Sequence, residues 1–261
     1  MPFTISHPAI VLPLKQLKPN WFSLTGLMAG AMSPDLLYFL MMQTSYRGVS
    51  HSWLGLFVFC LPAGIAFSFA FHLLFKQPVI HNLPWPLDRH LSGLADHQFR
   101  VHSLRAWVVL MTSVLIGALS HFFWDSLTHE TGEIAWIFPV LKESFTLFGI
   151  SQPLCRFIQH LSTFVGIVVL VLYILKGHLV PPPTISRPLH TPRRKFLFWL
   201  IGCAVAAVFA LLVVWGYDHL YDLQIATGYN RHAAMTTVGL ASWAGFFYYS
   251  CITGLIDRRR E

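Results

Sequence analysis

The sequence predicts an all-α fold: a polytopic helical membrane protein with five transmembrane helices, preceded by a broken, re-entrant N-terminal segment. Three observations carry this. Only 29 of 261 residues are charged, 11%, where a soluble domain carries roughly 25%. The hydrophobic fraction is 55%, more than a soluble exterior could hide. Five windows contain no Asp, Glu, Lys or Arg: Ser52–Phe75, Ala106–Trp124, Phe157–Leu175, Phe196–Tyr217 and Ala233–Ile256. They total 108 residues, where an even scatter would place about 12 of the 29 charges. Each is near the roughly 20 apolar residues that cross about 30 Å of hydrocarbon. None alternates polar and apolar as barrel strands do. Disorder is excluded because it requires low hydrophobicity. Four scattered cysteines without a C-x-x-C pair exclude a disulfide scaffold.

The N-terminus comes first. Residues 1–20 do not form a typical secretory signal, because prolines split the apolar run and Lys15 and Lys18 follow it. Trp21–Met42 is apolar but interrupted by Gly26, Gly30 and Ser33-Pro34-Asp35. Proline inside a helix removes a hydrogen bond, so two short helical pieces with a turn between them are expected, lying at the interface or re-entering it. The five charge-free windows follow as spans. The loop between the first two holds His81, His90, His97 and His102 with Asp88 and Asp96. It reads as a solvated or membrane-surface segment. Pro181–Pro183 opens an extended linker. The chain reads as a single membrane domain, residues 1–261. Residues 1–180 form the core with three spans, and residues 181–261 form the linker and two further spans, an anchoring appendage.

Charge asymmetry predicts orientation. With five spans, six basic residues fall on one side and twelve on the other, net −1 and +8. The positive-inside rule places the twelve, and the C-terminus, in the cytoplasm. The sequence pI of about 9.4 is then a mark of orientation, and no nucleic-acid partner is expected; the bilayer is the partner. Trp53, Trp124 and Trp215 near outer ends, and Trp107 and Trp199 near inner ends, fit interfacial belts. Oligomeric state is not legible.

The candidate chemistry lies in His121-Phe-Phe-Trp-Asp125-Ser-Leu-Thr-His129, which closes the second span. On a continuing helix His121 and Asp125 share one face and offer ligands that zinc accepts. His129, a turn further, can reach a neighbouring ion. Alone, the pattern is also what polar residues at a helix exit produce. His7, Asp35 and His51 fall on the same outer side in the five-span topology, so six ligands could converge. Each has a plainer account. Ser33-Pro34-Asp35 is a good helix start, Ser6-His7-Pro8 is another, and His51 is an ordinary interfacial residue. If Trp21–Met42 were a true span, His7 would move to the other side and the cluster would fail. His160, His219 and His232 are reserve ligands. Glu130 and Glu133 are candidate ligands or bases, more simply exposed loop carboxylates.

Met1-Pro-Phe-Thr-Ile-Ser-His-Pro-Ala-Ile-Val-Leu-Pro-Leu14, Ser33-Pro-Asp-Leu-Leu-Tyr-Phe39, His51-Ser-Trp-Leu-Gly55 and Gly117–His129 closely resemble an uncharacterised bacterial family of integral membrane proteins, known only as a domain of unknown function. More loosely, the order His, Asp, His, His-x3-Asp is similar to bacterial zinc-dependent phospholipase C, the S1/P1 nucleases and a group of inner-membrane metal-dependent hydrolases. That resemblance implies Asp35, His51, His121 and Asp125 around one ion, with His7 and Asp125 at a second and Asp125 bridging. The chain departs from the phospholipase in two ways. That enzyme uses its free N-terminal residue as a ligand, and no His-x3-Glu follows Asp125 here. His129 and His160 are the substitutes at hand, so one or two ions are expected.

The resulting expectation is a membrane-embedded, metal-dependent hydrolase. One or two zinc ions would activate water, with Asp35 as the catalytic base, on a phospholipid or other lipid-linked phosphoester. The setting is the outer face of a bacterial inner membrane. The rival is a non-enzymatic membrane scaffold or partner-binding protein whose His and Asp residues are helix caps. A transporter is disfavoured, since ion pathways leave ionisable residues inside spans.

Overall fold

The computed structural model describes residues 4–42, 47–96, 98–147, 149–177, 190–221 and 231–258. The chain opens with a 3-10 stretch, Thr4–Val11, that runs into α1 (Leu12–Leu17). It then turns back into α2 (Leu24–Met41). The Lys15 ammonium ties that turn, donating to the carbonyls of Pro19 and Phe22 at 2.5 and 2.8 Å. Val11 packs on Leu27 and Ala31, and the Thr4 hydroxyl donates to Asp35, 31 residues later, at 2.7 Å. The opening stretch therefore lies antiparallel beside α2.

α2 corrects the first expectation. It is one continuous helix of 18 residues with Pro34 inside it. The Ser33 hydroxyl explains why: it donates to the Gly30 carbonyl at 2.8 Å, the group that Pro34 leaves without its N–H donor. Membrane helices tolerate proline where a neighbouring hydroxyl makes this substitution.

A short helix α3 (Arg47–Ser50) follows. The rod α4 (Trp53–Asn82) begins with Ser52 as its cap and includes π-helical turns at Leu56–Cys60 and Phe71–Phe75. Next come α5 (Leu87–Asp96) and α6 (Leu104–Thr128), the latter capped by Ser103. After α6 the chain makes a short α7 (Glu133–Ile137) and a 3-10 turn, Pro139–Lys142. A hairpin of β1 (Ser144–Leu147) and β2 (Ile150–Pro153) leads into α8 (Leu154–Leu175). The described chain closes with α9 (Pro192–Tyr221) and α10 (Arg231–Arg258).

The protein is an all-α helical membrane protein. Among the described residues, five helical stretches are long and apolar enough to cross a bilayer: Leu24–Met41, Trp53–Asn82, Leu104–Ile137, Leu154–Leu175 and Pro192–Gly216. Four overlap predicted windows and the fifth is α2. The remaining window, residues 233–256, lies within α10. The Pro181–Pro183 linker falls outside the described residues.

The chain divides into two compact units. The first comprises Met1–Asp35, Val49–Ser68 and Arg100–Tyr173. Here α2 and α6 run parallel with their backbones in contact. A Cβ on Gly30 would lie 2.1 Å from the Val114 carbonyl oxygen, and one on Gly117 2.2 Å from that of Leu27. Only glycine permits this approach.

The second unit comprises Leu36–Gly48, Phe69–Phe99 and Ile174–Glu261. Here the segment expected to be solvated or at the membrane surface is folded, with part of it buried. Asp88 is fully buried and paired with Lys195. Ile80, Leu91 and Ala95 form a small core. The Trp199 indole donates to the Asn82 carbonyl at 2.7 Å.

Candidate metal centre

Three elements and one corner bring the ligands together inside the first unit. The Gly30/Gly117 contact seats α6 so that the His121 ring meets the Ala31 carbonyl, to which Nδ1–H donates at 2.8 Å. This fixes the tautomer and leaves Nε2 with its lone pair pointing inward, the arrangement that orients metal-binding histidines. Asp125, one turn further along α6, shares that face. Asp35 projects from the middle of α2. His51 stands in the tight corner between α3 and α4, its Nδ1 3.0 Å from the Ser50 hydroxyl. His7 comes from the 3-10 stretch, its ring stacked on His121 at 4.0 Å.

Four atoms form a closed ring. His51 Nε2 lies 3.7 Å from Asp35 Oδ1 and 3.5 Å from Asp125 Oδ2. His121 Nε2 lies 3.6 Å from Asp35 Oδ1 and 3.7 Å from Asp125 Oδ2. These separations exceed a hydrogen bond. They are the separations of neighbouring ligands about a shared ion, since two ligand atoms about 2.1 Å from a metal at a tetrahedral angle lie roughly 3.4 Å apart. The other carboxylate oxygen, Asp125 Oδ1, faces His7 Nε2 at 4.0 Å and His129 Nδ1 at 3.4 Å. No side chain of the six is more than 9% exposed.

The polar bookkeeping points the same way. His7 Nδ1 and Nε2, Asp35 Oδ1 and His121 Nε2 have no hydrogen-bond partner among the described residues. Buried lone pairs set against buried carboxylates are costly unless a cation or proton lies between them. His7 lies outside the five apolar helices. Burial, the largest cause, holds its imidazole well below the ordinary histidine range. Two overlapping groups meet the spacing of a metal site: His7, His121 and Asp125, and Asp35, His51 and His121.

His129 is drawn into the same cluster but engaged differently. Its Nδ1 is 3.1 Å from the Asp125 main-chain carbonyl, and its Nε2 is 3.5 Å from the Gln159 amide nitrogen. It buttresses Asp125. The reserve residues are in neither group: His160 and His219 are exposed, and the His232 side chain is outside the described residues. Glu133 is exposed, and Glu130 is exposed and bonded to Arg156 at 3.3 Å.

Two contributors escaped the sequence reading. Thr4 holds Asp35 Oδ2, and nothing in its neighbourhood marks it. Gln159, 1% exposed, had a signal: it is the sole Asn or Gln in the five charge-free windows, and buried amides in spans usually have a task.

Residues 1–255 match the model of the family described as Domain of unknown function (DUF4184). The chain belongs to this family. No curated protein and no solved structure gives a significant match. The family's extent covers both units and every residue of the cluster, so the centre lies within the family's own domain.

Proposed function

We propose that the chain is a membrane-embedded, metal-dependent hydrolase that acts on a phospholipid or another lipid-linked phosphoester. The observation that carries this is the buried ring of two imidazole nitrogens and two carboxylate oxygens spaced at 3.5–3.7 Å. Asp35, His51, His121 and Asp125 would hold the first ion. His7 and the second oxygen of Asp125 offer a place for another. Bound zinc supplies a Lewis acid and a water of lowered pKa.

The chain's own residues do the rest. Thr4 bonds Oδ2 of Asp35 while Oδ1 faces both Nε2 atoms, which favours a ligand's role for Asp35 over a base's. His7, whose ring nitrogens have no hydrogen-bond partner among the described residues, is then left as a ligand for the second ion. The scaffold alternative loses support at Asp35, which sits mid-helix in α2 and caps nothing.

The continuous α2 does not remove His7 from the cluster, because the opening stretch doubles back beside it. That same doubling back moves Lys15 and Lys18 to the opposite end from the cluster. The proposed orientation then leaves four of the 18 basic residues on the cluster's side and 14 on the other. This supports an outer, periplasmic site in a bacterial inner membrane with a cytoplasmic C-terminus.

The test is metal content. Protein purified in mild detergent without a metal-binding tag should carry one to two zinc equivalents by plasma mass spectrometry. His121→Ala and Asp125→Ala should lose them while remaining monodisperse. Wild-type protein that neither carries nor takes up zinc, manganese or iron would sink the proposal. Metal-replete protein inactive on phospholipids and phosphodiesters would sink the substrate alone.

A further inference from the structure

Between α6 and α8 the chain makes an excursion that neither the spans nor the metal centre account for. It is folded: Ala135, Leu141 and Cys155 are buried together, with Ile134, Leu154 and Ile158 packed around them. Yet its outer surface is strongly apolar. Trp136, Ile137 and Phe138 on and after α7 are 70%, 69% and 56% exposed. Phe145, Leu147 and Ile150 on the hairpin are exposed as well.

The hairpin register sorts its two faces. Leu147 pairs with Ile150 and Thr146 with Ser151. Successive side chains alternate across a strand, so Phe145, Leu147 and Ile150 share one face. Ser144, Thr146 and Ser151 share the other. A two-stranded hairpin is marginal in water by itself, and six large exposed apolar side chains gathered in one short excursion mark an interaction surface.

We infer that residues 133–153 form an interfacial platform whose apolar face is sunk into the lipid leaflet. The occupant is lipid and not water for two reasons. The excursion joins two bilayer-crossing helices directly, so it lies at the membrane surface by chain continuity. Its one basic residue also sits where an interface would have it: the Lys142 ammonium lies 3.2 Å above the Trp136 ring, an arrangement in which lysine keeps its head toward the headgroups while aromatic surface enters the leaflet. The depth is bounded. Among the described residues the outer edges of β1 and β2 have no further strand, and open strand edges are not tolerated in hydrocarbon. The platform therefore rests at headgroup level, as interfacial elements do. α7 begins four residues after His129, so it meets the leaflet at the end of α6 that carries the metal ligands. The inference stands whether or not an ion binds there.

The test reads lipid and water exposure directly. The full chain in a Cys203→Ser background, which removes the exposed native thiol, receives single nitroxide labels at 137, 147 and 150. Labels at 146 and 151 report the opposite face. The protein is reconstituted in phosphatidylcholine–phosphatidylglycerol vesicles. Collisions with oxygen, which partitions into lipid, should dominate at 137, 147 and 150. Collisions with a water-soluble nickel chelate should dominate at 146 and 151, reversing the ratio between adjacent hairpin residues. Nickel dominance at all five positions overturns the inference in favour of an aqueous loop. Exclusion of both reagents at 147 and 150 overturns it in favour of a protein partner, such as a second copy. Should a label disturb folding, brominated-lipid quenching needs none. The unlabelled protein should lose more tryptophan fluorescence than Trp136→Phe, and equal quenching overturns the inference.

Discussion

Gly117→Ala should loosen the metal centre from a distance. The added Cβ would lie 2.2 Å from the Leu27 carbonyl oxygen, 2.7 Å from the Ala31 nitrogen and 3.0 Å from the Gly30 carbonyl carbon. These are backbone atoms, which cannot rotate away. Ordinary contacts need roughly 3.5 Å, so α2 and α6 must part by about 1 Å or more. A parting of about 1 Å takes the His121–Ala31 bond from 2.8 Å to about 3.8 Å, outside hydrogen-bond range. It also widens the His121–Asp35 edge from 3.6 Å. Loss of such an outer contact typically costs about 10–100-fold in metal affinity. Competition against a fluorescent zinc chelator in detergent measures this. Gly239→Ala is the control, since a Cβ there meets nothing within 4 Å. Wild-type zinc affinity in folded Gly117→Ala protein would refute the claim that backbone contact between α2 and α6 sets the cluster.

Other outcomes follow from the same structure. Thr4→Val should weaken zinc binding about tenfold or more by freeing Asp35 Oδ2, and Thr4→Ser should restore it in the same competition assay. Lys195→Met should destabilise the second unit by about 3–5 kcal/mol, because it leaves Asp88 buried and unpaired. Adding Asp88→Leu should recover most of that in thermal unfolding. Burial and the nearby Arg194 lower the His190 pKa from 6.5 to about 4. Between those values the unfolded chain binds the extra proton, so stability rises with pH. The contribution is intact above pH 6.5 and is lost as pH falls toward 4. His190→Gln should flatten this part of the unfolding-midpoint profile in chelator-treated protein.

Much of the fold was legible because charge exclusion is a strong, additive signal over twenty residues. α4, α6, α8 and α9 stand where the charge-free windows put them. α2 was misread because proline was judged by its local cost alone. The Ser33 hydroxyl that meets the Gly30 carbonyl is a one-residue detail that no window average contains. The ligand types were legible in His121 and Asp125, whose spacing is local to one helix. Their meeting with His7, Asp35 and His51 was only a side-of-membrane argument, and it rested on a topology that α2 changes. What brings them together is a chain reversal at Lys15 and a glycine contact between helices, both long-range. The hairpin at 144–153 was invisible for a different reason. The strands are four residues each, too short for alternation to stand out within a loop.

The reversal at the start of the chain also imposes a timetable. Asp125 is made 118 residues after His7. At about 5–20 residues per second, roughly 6–24 s separate the first ligand from the last. Through that interval α2 holds Asp35 with neither His121 nor Asp125 yet in existence. Of the five apolar helices α2 has the lowest hydropathy, 1.2, and the largest buried share, 56%. It is the helix least able to reside alone in lipid and the most dependent on neighbours still to come. Newborn chains should therefore keep α2 in a waiting position, and the proposed ion could bind only after α6 has entered the membrane.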